Sequence, residues 1–173
     1  MVITQDVFEA ATGVVDVITI GLDLNAGKTP RYPHAELVFL FKVPSGERIG
    51  VTGKSYPLAS QEHTLVHASD LASHFMEAAG ERVLVLGCHD LNLFSPRAYA
   101  NQRPEGARRE RTDAFQLLAK KFGPTVVLQH PHTTDTPRIW SAAWGPITRA
   151  FDGLKGWASG ITYWNHGVTR IHA

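Results

Sequence analysis

The sequence is short of the features that would mark an extreme class. It holds a single cysteine, Cys88, and two methionines in 173 residues, and its charges nearly cancel, with 17 basic against 16 acidic side chains and a formal net charge of +1. One cysteine excludes an intramolecular disulfide and any multi-cysteine zinc site, so a bound metal would have to be held by histidine and carboxylate. A net charge near zero removes the long-range field of a dedicated nucleic-acid-binding module. The longest apolar runs, Leu37-Val38-Phe39-Leu40-Phe41 and Val83-Leu84-Val85-Leu86, fall well short of the ~20 residues a membrane span needs. Met1 to Glu9 carries Asp6 and Glu9 and no basic stretch leading into an apolar one, which argues against a secretory signal, so the expected compartment is cytoplasmic.

What is present is an ordinary core-forming composition, 43% apolar and 19% charged, which predicts one globular domain over residues 1–173. The unusual quantity is nine histidines. A local basic stretch also stands out, where Arg97, Arg103, Arg108, Arg109 and Arg111 face only Glu105 and Glu110.

Val14 to Leu24 is rich in β-branched residues and reads as a strand, with a breaker at 25–30. Glu36 to Val43 and Arg48 to Thr52 read as two arms of a hairpin around Pro44-Ser45-Gly46-Glu47. From Ser60 the period changes: Leu65, Ala68, Ala72, Phe75 and Ala79 recur at three- and four-residue spacing, and Gly80 stands where a helix cap belongs, which predicts a helix. Arg82 to Gly87 and Thr125 to Gln129 are short continuous apolar runs of the kind buried on both faces of a parallel sheet. Between them, Phe115, Leu118 and Phe122 define a helix over 105–122 that stops at Gly123-Pro124. Trp140, Trp144, Ile147, Phe151 and Leu154 mark a last amphipathic helix, followed by a strand at Ile161 to Trp164 and a short tail.

The expected fold is therefore α/β, a three-layer mixed sheet in the order β-β-β-α-β-α-β-α-β. At the level of topology this order resembles the ribonuclease-H-like fold, and more loosely a Rossmann-like domain. The resemblance implies acidic residues at the first strand, Asp16 or Asp23, and at Asp90, holding magnesium for phosphodiester cleavage. The spacing of Asp23 and the long loop after it depart from that arrangement.

In an open α/β sheet, ligands bind beyond the carboxyl ends of the strands. Two polar loops leave there, Gly87 to Arg97 and His130 to Arg138, and each begins with titratable residues directly after an apolar run. They single out His89, Asp90, His130 and His132 as candidate catalytic residues, with Asn92, Arg97 and Arg138 as candidate substrate-binding groups. His130-x-His132 puts two imidazoles on one face of an extended chain. With Asp135 and Asp90 they would form a mixed set suited to zinc, manganese, magnesium or iron(II). The pattern departs from the His-x-His-x-Asp-His of metallo-β-lactamases in its aspartate spacing and missing last histidine.

Cys88 invites a thiol mechanism with His130 as its base. A cysteine ending a buried strand is, however, more commonly an inert small hydrophobe. His34, His63, His67, His74, His166 and His172 are read as packing or solvated residues. The expected function is a hydrolase of phosphate esters or phosphodiesters, with a non-catalytic binding or sensor domain for an anionic molecule or nucleotide as the alternative. The expected partners are phosphate-containing small molecules or nucleic acid, with no membrane, and self-association into a homo-oligomer is compatible with the sequence.

Overall fold

The computed structural model describes residues 5–24, 35–56, 64–66, 68–95, 98, 105–131, 137–159, 161–165 and 168–172. A short helix, α1 (Gln5–Ala10), precedes three strands, β1 (Val17–Leu24), β2 (Ala35–Lys42) and β3 (Arg48–Gly53). These strands form an antiparallel sheet in the order β1-β2-β3. The expected hairpin forms around the Pro44–Glu47 turn, with Gly46 at φ +68° where a side chain would be strained.

The helix expected from Ser60 onward is not what forms among the described residues of that stretch. A 3-10 turn (Leu71–His74) leads into β4 (Phe75–Ala78), which pairs antiparallel with β5 (Glu81–Gly87). Ala78 lies opposite Glu81, so the connection is the two residues Ala79 and Gly80, both with positive φ, 51° and 76°. Two successive left-handed residues match the twist of a tight hairpin. A left-handed glycine caps helices and closes hairpins alike, which is why Gly80 fitted the helical reading.

The second half follows the expected alternation more closely. A 3-10 turn (Asp90–Leu93) and α2 (Ala107–Phe122) precede β6 (Val126–His130); α3 (Pro137–Ala150) then leads to β7 (Gly156–Ser159). Gly123, left-handed at φ +61°, ends α2 as its position predicts. β5, β6 and β7 are parallel, giving a second sheet in the order β4-β5-β6-β7. The region expected to end as a tail pairs instead: β8 (Ile161–Asn165) and β9 (Val168–His172) form an antiparallel hairpin.

The mixed α/β character holds, but the strands divide between sheets. Period two along β5 explains the layering. Val83 and Val85 face Val38 and Leu40 of β2, so the two larger sheets stack on each other. Leu84 and Leu86 face the opposite way, against Phe115 and Ala119 of α2 and Trp144, Ile147 and Phe151 of α3. The layers run sheet, sheet, helices. The β5 exit, flanked by β6, is thus enclosed between the β1–β3 sheet and the helical layer.

Candidate active site

The first charged feature of the interior is on β2. Its residues alternate inward and outward, and Glu36 shares the inward set with Val38 and Leu40. Lys54 follows β3 directly, and its backbone N–H donates to the Glu36 carbonyl at 3.0 Å. Its Nζ donates to Glu36 Oε1 at 2.8 Å, with the two side chains only 0% and 7% exposed. Removing both charges from water costs about as much as their attraction returns. Such a pair contributes little to stability and marks a candidate site.

Lys54 is pressed against the β5 exit. A Cβ placed on Gly87 would lie 2.9 Å from Lys54 Cα and 3.1 Å from Lys54 Cβ, so glycine is required for the two chains to pass this closely. Cys88 comes next, 0% exposed and packed with Leu84, Leu86 and Phe115. Its carbonyl accepts from Gln129 Nε2 at 2.7 Å, and Gln129 Oε1 in turn accepts from Ser159 Oγ at 2.7 Å, so β6 and β7 both hold the turn.

Asp90 closes the arrangement. One carboxylate oxygen accepts from the backbone N–H of Ser55 at 2.9 Å and of Tyr56 at 2.7 Å, and the other from Gly87 at 2.8 Å. Three backbone donors on one fully buried carboxylate tie the segment after β3 to the β5 exit. Asp90 is thus a linchpin of the turn through its backbone contacts.

The remaining sequence candidates are placed as follows. Gly87 lies opposite His130 in the parallel ladder, so the two strand exits do adjoin. His130, however, faces the other sheet. Its Nε2 meets Thr19 Oγ1 at 2.9 Å, its ring abuts Gly21, and burial holds its pKa below the ordinary imidazole value. His89 is half-buried at the start of the Asp90–Leu93 turn, and its carbonyl accepts from Asn92 N at 3.0 Å. Arg97, His132 and Asp135 lie outside the described residues, and Arg138 is placed only as part of α3.

Of the four expected metal ligands, Asp90 and His130 are thus committed to backbone N–H groups and to Thr19. Among the described residues no three His, Cys, Asp or Glu side chains gather as a metal centre requires. The expectation of a metal-binding group here is corrected accordingly.

Two further polar residues, His74 and Arg111, reach into the interior. His74 is 0% exposed, with Nδ1 donating to the Val85 carbonyl at 2.7 Å, which leaves Nε2 to accept from Ser55 Oγ at 2.8 Å. Burial lowers its pKa, against an opposing pull from Asp90. Arg111 donates from Nε to the Ser55 carbonyl at 3.2 Å, from Nη2 to Ser55 Oγ at 3.3 Å, and also to the Ala68 carbonyl. Its place near the start of α2, against the helix dipole, is explained by these acceptors. In the same basic stretch Arg109 pairs with Asp113 at 2.8 Å, and Arg108 lies 6.0 Å from the Tyr56 ring.

Glu36, Lys54, Ser55 and His74 are the site residues that sequence reasoning passed over. Glu36 carried a signal, a charge on the apolar face of an alternating strand. Lys54 carried none beyond its position at a strand end.

The exit of β5 thus lies in a sheet stacked on a sheet and backed by helices, with Cys88 buried there and Lys54 packed against Gly87 beside it. No protein-family model matches the sequence, and no curated protein matches it. Solved structures do. The NitN amidase from Nesterenkonia sp. AN1 is 13% identical with a TM-score of 0.56, over 96% of this chain and 56% of that one. A carbon–nitrogen hydrolase from Helicobacter pylori G27 is 14% identical with a TM-score of 0.51, over 92% of this chain and 50% of its own. A glutamate-to-glutamine variant of the Nesterenkonia amidase, described with the acetamide moiety of fluoroacetamide attached to its active-site cysteine, matches at 14% identity and a TM-score of 0.53. The chain spans about half the length of these proteins, as the 56% and 50% coverages state.

At this identity the likeness shows the fold. It replaces the ribonuclease-H-like and Rossmann-like expectations. It also overturns the expected phosphate-ester or phosphodiester hydrolase, its nuclease and nucleotide-binding associations, and the phosphate-containing or nucleic-acid partner. The structures that share this architecture are amidases and carbon–nitrogen hydrolases. No helix among the described residues is long and apolar enough to cross a membrane.

Proposed function

We propose that this chain carries cysteine-dependent amide hydrolysis, with Cys88 as nucleophile and Lys54 and Glu36 as the charged pair beside it. The observation that carries the reading is Lys54, buried and paired with Glu36, with its backbone packed against Gly87, the residue immediately before Cys88. The neighbours' description of an active-site cysteine supports it.

In this reading Cys88 Sγ attacks the carbonyl carbon of a small amide, and the thiol proton passes to the Glu36 carboxylate. The Lys54 ammonium stabilises the negative charge developing on the carbonyl oxygen. The tetrahedral intermediate collapses, ammonia departs carrying the proton, and a thioester remains. Water then cleaves the thioester, releasing the carboxylic acid and restoring the thiol. Asp90 acts by holding Gly87, Ser55 and Tyr56 in register, and His89 remains at the same turn.

The test is ammonia release from acetamide and related short aliphatic amides. Cys88→Ser should abolish it, and Lys54→Met should lower kcat by about 10²–10³, the usual loss when one transition-state donor is removed. Turnover that survives Cys88→Ser refutes the proposal.

One observation favours a second reading. Cys88 is fully buried among Leu84, Leu86 and Phe115, the setting of a structural cysteine in a non-catalytic protein of this fold. Incubation of the native protein with fluoroacetamide separates the two: an adduct on Cys88 by intact mass supports catalysis, and protection until unfolding supports the structural role.

A further inference from the structure

Three parts of the fold converge on Ser55, and none of the roles assigned so far accounts for this. Its N–H is taken by Asp90, its carbonyl by Arg111 of α2, and its hydroxyl lies between Arg111 Nη2 and His74 Nε2. His74 is itself fixed to β5 through the Val85 carbonyl and packs edge-on against Phe115 of α2, ring centroids 5.0 Å apart. The bonds form one directed chain. Arg111 donates to Ser55, Ser55 to His74 at 2.8 Å rather than to the more distant Ala68 carbonyl at 3.5 Å, and His74 to Val85, so the chain runs in one direction.

We infer that Ser55, His74 and Arg111 form a positioning clamp that sets the Lys54 ammonium beside the Cys88 turn. Lys54 is the residue immediately before Ser55, and its long side chain reaches Glu36 from where its backbone stands. The clamp fixes that backbone from three directions against Gly87. It is also far more elaborate than a strand end needs. A serine exposed at the end of β3 would satisfy its hydroxyl with water.

The inference rests on the proposed use of Lys54 and Cys88, and its test is independent of amide turnover. A cation held near a thiol lowers the pH at which the thiolate forms. The rate of Cys88 alkylation by iodoacetamide, followed against pH by intact mass, therefore reports where the Lys54 ammonium stands. Among the described residues Glu36, His89, Asp90 and, on the adjoining strand, His130 are the other titratable groups near this exit; Asp90, Arg111 and Asp70 are those facing His74.

Ser55→Ala and Arg111→Lys should each raise the midpoint of that profile by about one pH unit, the size expected from displacing one nearby charge. Ser55→Thr, which keeps a hydroxyl, should restore it. In a Lys54→Met background Ser55→Ala should add no further shift. An unshifted midpoint in both Ser55→Ala and Arg111→Lys, with melting temperature alone reduced, overturns the clamp and makes these residues merely structural. A wild-type Cys88 that resists iodoacetamide at every pH also overturns it, because no thiolate is then stabilised there. Shifting profiles without ammonia release from any amide would sink the amidase reading and leave the clamp standing.

Discussion

Lys54 and Glu36 show how a pair of residues can be costly apart and nearly neutral together. Each would be an uncompensated buried charge if its partner were removed. Lys54→Ala or Glu36→Ala should therefore destabilise the protein by about 3–5 kcal/mol. Replacing both, as Lys54→Met with Glu36→Leu, should recover most of that loss, since apolar groups of similar volume carry no desolvation penalty. Urea unfolding midpoints of the three variants check this. A double variant as unstable as the singles would mean that the pair stabilises the fold in its own right.

Among the elements, the β4–β5 hairpin departs most from its sequence pattern. Phe75 and Ala79 keep helical spacing, yet the chain reverses at Ala79 and Gly80, because the apolar run Val83 to Leu86 needs an antiparallel neighbour at the edge of its sheet. Ala79 bears the strain of that turn, a non-glycine residue at φ 51°. Ala79→Gly should stabilise the protein by up to about 1 kcal/mol, the relief of left-handed strain less the added chain entropy of glycine. Thermal melting should show a rise of a few degrees. No rise, or a fall, would place the cost of the turn elsewhere. The same hairpin delivers His74 to Ser55, so a helix over this stretch would have left the lysine segment without its clamp.

At the scale of the whole molecule, two histidines, His74 buried and His130 half-buried, join layers that sequence separation keeps apart. His130 on β6 reaches Thr19 on β1, and His74 links Ser55 after β3 to Val85 on β5. Burial lowers the pKa of both. In the unfolded chain each titrates near 6.5, so below about that pH the unfolded state binds protons the folded state refuses. Their effect on stability should be absent above pH 7 and should grow as pH falls, by at most about 1.4 kcal/mol per pH unit for each histidine. Unfolding free energies between pH 6.5 and 5.5 should therefore decline, and His130→Gln should reduce the slope. A flat profile over that range would show that neither imidazole resists protonation.

The local grammar of the chain was legible in its residues. Alternation marked β2, continuous apolar runs marked β5 and β6, and helical spacing with Gly123 marked α2, since these signals arise from neighbours a few residues apart. The β5 exit was singled out for the same reason, and Asp90 lies buried there. What lay beyond reach were contacts between distant segments. Period two says that Glu36 faces inward but not which layer it meets, and nothing local distinguishes Lys54 from a solvated strand-end lysine. His130 was placed at the exit beside Gly87, while only the stacking of the two sheets turned it toward Thr19 and away from Asp90. Sequence by itself determined β1 to β3, β5, β6 and α2, whose signals are local. Tertiary structure decided which buried polar groups share the β5 exit, because burial and pairing are properties of the packed layers and not of the chain that enters them.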